Sequence, residues 1–569
     1  MYSAALSDVE IISRCQSGAL LDDIDRFDID GIEASLLDRS VSLHNAGQID
    51  LLALTQTAQF NSLSTSEFFV RQDFFCKAIP RLQTQALLLM QAVKALVVRG
   101  GADLMANRPY EAFRDWCAAD RTRSDAIIAA AEAGDVQASA FVTFAFTALG
   151  DATLARSFVE KHSDERRLSA MFALGRIKPV DVVDAEDSIS VLLPFVDAAY
   201  DETPRYNALM SLLNICCQYL DLAAVYLPKA IVAATVSPTP GLQFNLARAL
   251  WLHAKLFDRS SIKYMLDALK TVDPALGGVV NEVDQALKTL LETPNGDLAL
   301  HFLCEILARD DGFELKQFKS VRHDLASGDR DRLFRLLVRW LSTDNSNLGV
   351  AAQQIVTAGE HAAPFQNTTG DLGLNGADHI FLAYKTLGWL FLNDVVAASI
   401  LVACLRGCDR ATAKIIGSLL FDPLLLNYGG KAFEYLKTIK NGDLAHGPVK
   451  AALKAAAAYA KGLEIDQPIK ELRPSEYQRS VERRHAHDVM RKIRKDAEKH
   501  SVLFNLVHRS VLLYGRRSIT YVQEPGRKRR PVSMDLHSFS HSFELPRCEV
   551  IDPVGLSVML LTLRSVRRK

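Results

Sequence analysis

Residues 535–541, DLHSFSH, place an aspartate and two histidines at alternating positions, and alternating positions share one face of a β-strand. Asp535, His537 and His541 are residue types that ligate a divalent metal or move a proton in phosphodiester chemistry, with Phe539 between them on the same face. At the rise of a strand the run spans roughly 20 Å, so one strand cannot bring all three to a single ion. Asp535 and His537 would need partners from elsewhere, such as His485 or His487. They are the only catalytic candidates the sequence offers, and no metal or cofactor is expected with them.

Other chemistry is looked for and not found. Gly429-Gly430-Lys431 lacks both the upstream glycine and the following hydroxyl of a phosphate-binding loop. GLSVM at 555–559 lacks the closing glycine of a nucleophile elbow, and no H-E-x-x-H occurs. Cys404 and Cys408 stand one helical turn apart, but no second Cys or His pair at ligand spacing accompanies them. The residues point away from an enzyme.

Charge is more informative. The block PGRKRRP sets Arg527, Lys528, Arg529 and Arg530 between two prolines in a chain of formal net charge −1. Residues 470–569 hold 22 Lys and Arg against 11 Asp and Glu, so the remainder carries 44 against 56. The near-neutral total therefore conceals a basic end and an acidic body, and a local positive field attracts polyanions whatever the rest carries. On a helix after Pro474, Arg484, His487, Arg491, Arg494 and Lys495 share one face, and Val489, Ile493, His500, Phe504, Val507 and Val511 share the other. Beyond Gly515, RRSITYVQ (516–523) and PVSMDLHSFSHSFEL (531–545) alternate as strands do. Pro525-Gly526 marks a hairpin turn whose tip carries Arg527 to Arg530. Arg484, Arg491, Arg494, Lys495, Arg516, Arg517 and Arg527 to Arg530 are the expected phosphate contacts, with Tyr514, Tyr521 and Phe539 available for base stacking.

The elements before about residue 465 are of one kind. Apolar residues recur at helical spacing for 12 to 18 residues, then a Gly, Pro or Asp break follows; PRYNALMSLLNICCQYL (204–220), with Leu209, Leu212, Leu213, Cys216 and Leu220 on one stripe, is typical. Gly-Asp joints recur at 134, 150, 296, 328, 370 and 442, where a glycine can end one helix and the aspartate can cap the next. Their spacing is irregular, so no strict repeat is present. A series of antiparallel helix pairs that bury their apolar faces by stacking gives an all-α superhelical fold. In architecture it is similar to the HEAT, armadillo and tetratricopeptide solenoids, whose signature residues it does not match. A compact helical bundle of two domains is the other arrangement that fits. The sequence divides into a helical solenoid at 1–357, an irregular loop at 358–379, more solenoid at 380–469, and a small basic α+β module at 470–569. In that module GLSVMLLTLRSV (555–566) is either a third strand or a closing helix.

The apolar window TLGWLFLNDVVAASILVACL (386–405) is interrupted by Asn393 and Asp394, which predicts a buried helix pair joined there and not a membrane span. MYSAALSDVEIISR shows no secretory signal, and nine scattered cysteines do not form a disulfide framework, so a reducing cytoplasm is expected. These features predict a scaffold that binds proteins through an acidic solenoid and DNA or RNA through a basic end, a part suited to a multi-component bacterial system that senses foreign DNA. Two other readings fit the same residues: a nuclease-like enzyme using Asp535, His537 and His541, or a structural protein whose basic end docks on an acidic protein surface, including the acidic body of the same chain.

Overall fold

A computed structural model describes residues 6–27, 33–101, 103–310, 312–358, 364–465, 475–500, 517–522, 530–535 and 544–568. The chain forms two units, Met1–Asp324 and Leu325–Lys569. The described residues are helical apart from one two-stranded ribbon, and the packing inside each unit is consistent with an α-solenoid.

In the first unit, Glu202–Cys216, Pro240–His253 and Gly277–Leu291 lie side by side in one row; Leu220–Thr235, Arg259–Leu269 and Gly296–Leu307 form a second row. Each helix of the first row also touches the helix that follows it in the chain. This is the stacking of helix pairs expected from the apolar runs. Leu209, Leu212, Leu213 and Cys216 are buried. Leu220, read from the sequence as part of their stripe, instead opens the next helix and is exposed, because the first helix ends at Cys216.

Two of the Gly-Asp joints work as their residues suggest. Gly134 and Gly150 take φ of 89° and 67°, left-handed values that cost glycine nothing. Asp135 and Asp151 then accept from the N–H groups of Ala138 and Leu154 at 2.8 and 2.9 Å, capping the helices Val136–Leu149 and Ala152–Lys161. At 296 the same dipeptide is placed differently: Gly296 is already the first residue of its helix and Asn295 precedes it as the cap residue.

In the second unit, Arg330–Leu341, Gly376–Leu390, Arg410–Leu419 and His446–Ile465 form a row, with Asp394–Gly407 and Lys431–Lys437 packed together behind it. The buried pair 376–390 and 394–407 meets at Phe391 to Asn393, where the sequence places its break. Among the described residues no helix is long and apolar enough to cross a membrane. Residues 364–379, part of the stretch read as an irregular loop, are packed into this unit. Phe365 and Thr369 are buried, and Thr369 bonds through both its N–H and its hydroxyl to the carbonyl of Ala403.

Arg406 ties that stretch down. It donates to the carbonyls of Gln366 and Asn367 at 3.2 and 3.1 Å and to the Asp443 carboxylate at 2.8 Å. The Arg406 hydrogen bond is the main reason the Asp443 carboxyl ionises below its ordinary range. A carboxyl depressed on folding adds stability that is complete above the unfolded value of about 3.9 and is lost as pH falls through the folded value. Asp443→Asn is therefore expected to lower stability at neutral pH and to flatten its fall below about pH 4, as read from denaturant midpoints at several pH values. An equally steep acid limb in the variant would rule out this pair as a source of it.

The C-terminal α+β module expected at 470–569 does not appear as a unit. Strands β1 (Arg517–Val522) and β2 (Arg530–Asp535) pair antiparallel, Arg517 opposite Asp535 and Val522 opposite Arg530, with no third strand among the described residues. The apolar segment at 555–566 falls in the helix Pro553–Ser565. It starts where Asp552 accepts from the Gly555 N–H at 2.8 Å and Pro553 sets the first turn. That helix packs on Gly376–Leu390, so the chain's last residues belong to the helical stack.

Candidate nucleic-acid interface

The helix Glu476–His500 opens with a reciprocal cap. Ser475 Oγ accepts from the Gln478 N–H at 3.2 Å, and Gln478 Oε1 accepts from the Ser475 N–H at 2.9 Å. From that start, 3.6 residues per turn bring Arg484, His487, Arg491 and Lys495 onto one face, and all four are exposed. Arg491 pairs with Asp488 at 3.0 Å, an exposed contact that leaves its guanidinium open to other acceptors. Arg494 lies on the same helix; its side chain, like those of Val489 and Ile493, is outside the described residues.

The ribbon contributes by register alone. Arg517 begins β1 and Arg530 begins β2, and the segment joining the strands carries Arg527, Lys528 and Arg529, which with Arg516 are outside the described residues. Asp535 ends β2 opposite Arg517, a cross-strand partner of opposite charge. His537 and His541 are outside the described residues, as are Tyr514 and Phe539. Among the described residues no group of three or more His, Cys, Asp or Glu is placed to hold a metal.

What sequence reasoning missed is the return of the chain. After residue 543 it docks on the second unit through a series of specific contacts. Glu544 accepts from the N–H groups of Gly430 and Lys431 at 2.9 and 3.1 Å, while Asp394 accepts from the next, Ala432, at 3.0 Å. Two carboxylates thus take the first three N–H groups of this turn, and a Cβ on Gly430 would collide with the Glu544 carboxylate. Asn427 accepts from the Cys548 N–H at 2.9 Å, and Arg547 donates to the Tyr459 hydroxyl at 3.2 Å. Further on, Arg564 donates to the Gly388 carbonyl at 2.6 Å and lies over the Trp389 ring, and buried Lys385 donates to the Arg564 carbonyl at 2.6 Å. Arg568 closes the run on Asp378, whose carboxyl it holds below the ordinary range.

These contacts divide the basic end into two populations. Arg547, Arg564 and Arg568 are engaged with the chain's own groups, whereas Arg479, Arg483, Arg484, Arg491, Lys492 and Lys495 of helix 476–500 are exposed. Helix 476–500 and the ribbon belong to an excursion of the sequence, residues 466–543, between the end of helix 446–465 and the docked Glu544. Residues 466–543 hold 17 Lys and Arg against 9 Asp and Glu. Two signals for the return were present in the sequence: the Asp552-Pro553 start of a helix and the paired glycines at 429–430. Glu544→Ala is expected to speed amide hydrogen exchange at Gly430 and Lys431 by about tenfold, as the loss of a charge-assisted bond implies. Unchanged exchange would mean that the carboxylate does not hold those groups in solution.

One cysteine–histidine contact elsewhere resembles a nucleophile pair. Cys217 Sγ lies 3.2 Å from His253 Nδ1, both half-buried. Burial raises the thiol and lowers the imidazole, so both are held neutral, the reverse of what an activated thiolate needs. Comparison of the chain with protein-family models, with curated proteins and with solved structures finds no match.

Proposed function

We propose that this protein is a non-enzymatic helical scaffold that binds nucleic acid through the basic excursion between residues 466 and 543 and protein partners through its helical surface. The observation that carries the reading is the exposed cationic face of helix 476–500, made of Arg484, His487, Arg491 and Lys495, in a basic stretch of sequence that is followed by the docked Glu544. Cations on such a face meet phosphates without reading base sequence, so binding is tolerant of sequence and sensitive to salt. Arg517, Arg530 and the basic block between the strands extend the same charge.

The docked cations Arg564 and Arg568 support the self-docking alternative only for the last residues of the chain. A gel-shift titration of the full chain against duplex DNA, single strand and RNA tests the reading. Replacing Arg527, Lys528, Arg529 and Arg530 by Ala is expected to weaken binding at least tenfold at about 0.1 M salt. Binding unaltered by that change would remove the basic block from the interface.

A further inference from the structure

The inference deepens the protein-binding half of the proposed scaffold and rests on that reading. Helices 410–419 and 446–465 are neighbours in one row of the second unit, and they approach closely at Gly417, where a Cβ would come within 3.1 Å of Pro448. Beside that contact the two helices line an open groove of about 890 Å³. Its wall on helix 410–419 runs from Arg410 to Ser418 and on the other helix from Gly447 to Ala455, each roughly 12 Å at 1.5 Å per residue, or about two turns, with Phe421 of the following segment also lining it. Small side chains, Ala413, Ala451 and Ala455 among them, make the floor, so an occupant's backbone can come close and its large apolar side chains can fill the space.

Charge decides which occupant fits. The only ionisable residues lining the groove are Arg410 and Lys414, both exposed cations. The neighbouring carboxylate, Asp409, is turned away onto the N–H groups of Ala411 and Thr412 and the Thr412 hydroxyl. The same row already takes a helix one position along, where 553–565 lies on 376–390 with Leu556 and Leu563 buried and a terminal Arg568–Asp378 pair. We infer that the groove is the docking site for an amphipathic helix of a partner protein, apolar on the face that enters and acidic along its flanks.

The test uses the full chain and a fluorescein-labelled 16-residue peptide with Leu at i, i+3, i+4 and i+7 spacing and Glu at the flanking positions, against the same peptide with Lys in place of Glu. Fluorescence anisotropy is expected to show the Glu peptide binding at least tenfold more tightly than the Lys peptide. Arg410→Glu with Lys414→Glu, both at exposed positions, is expected to erase that preference, and Ala451→Trp, which fills the groove, to abolish binding of either peptide. Equal binding of the two peptides, or a Glu peptide indifferent to both variants, would overturn the proposal. No binding by the wild-type chain would overturn it as well. Nucleic-acid binding measured on the Arg410→Glu, Lys414→Glu chain separates the two readings: if it persists while peptide binding fails, the groove alone is lost and the basic interface stands.

Discussion

Replacing Arg205 by Met is expected to destabilise the protein by ~3–5 kcal/mol, the largest effect of any single substitution argued from this fold. Arg205 lies on helix 202–216 and is 3% exposed. Its guanidinium donates to five carbonyls: Val196 at 3.1 Å, Ser237 at 3.1 Å, Ala233 at 3.4 Å, Ala234 at 3.3 Å and Val236 at 2.8 Å. Three of these belong to the C-terminal end of helix 220–235 and the residue after it, where carbonyls run out of intrahelical donors and Ala233 alone of the three takes a capping N–H, that of Val236 at 3.4 Å. A fourth is Ser237, whose φ of 52° puts a non-glycine residue in the left-handed region. The guanidinium therefore holds together a strained turn and a helix end, and burial lowers its own pKa without removing its charge. Methionine fills much of the volume and offers no donor, leaving buried carbonyls unsatisfied. Lysine keeps a charge but reaches fewer carbonyls than the planar fork, so Arg205→Lys is expected to lose stability too, by less than Met. Chemical denaturation read at the midpoint checks both; a Met variant within about 1 kcal/mol of the parent would show that the five carbonyls find other donors.

The second large effect concerns binding. Arg484→Ala, Arg491→Ala and Lys495→Ala made together are expected to weaken nucleic-acid affinity about 10²-fold near 0.1 M salt. The same change should make the dependence of log K on log salt shallower by about 3, since each phosphate contact contributes roughly 0.9 to the slope. The fold should not change. All three side chains are exposed, the only ion pair removed among the described residues is the surface contact of Arg491 with Asp488, and Ala is the strongest helix former. Circular dichroism should thus match the parent while the binding isotherm shifts. Full affinity in the triple variant would place the contact on other residues.

Local signals carried furthest in the sequence. Gly134-Asp135 and Gly150-Asp151 announced a helix end and a cap because both functions reside in the dipeptide itself. Asn393-Asp394 marked the break in the apolar window for the same reason, polar residues between two apolar runs. The sequence marked a helix start at Asp552-Pro553 but not where residues 544–568 dock, since most of those contacts join positions more than a hundred residues apart: Glu544 with Gly430, Arg564 with Gly388, Arg568 with Asp378. Composition counted Arg564 and Arg568 in one positive block with Arg484 and Arg491, because counting charges does not see which are already paired. The packing of 364–379 was hidden likewise, since Thr369 is held by a carbonyl on another helix, that of Ala403. The groove between 410–419 and 446–465 depends on how two helices pack at Gly417, which no single-helix pattern encodes.

The central claim is that exposed cations of the 466–543 excursion bind nucleic acid through phosphates. It is tested most directly by titrating the full chain with a labelled 20-base-pair duplex, single strand and RNA at 50 and 200 mM salt. Binding at 50 mM to all three that falls by at least 10²-fold at 200 mM is the expected result. Absence of binding at 50 mM, or an affinity that salt leaves unchanged, would contradict it.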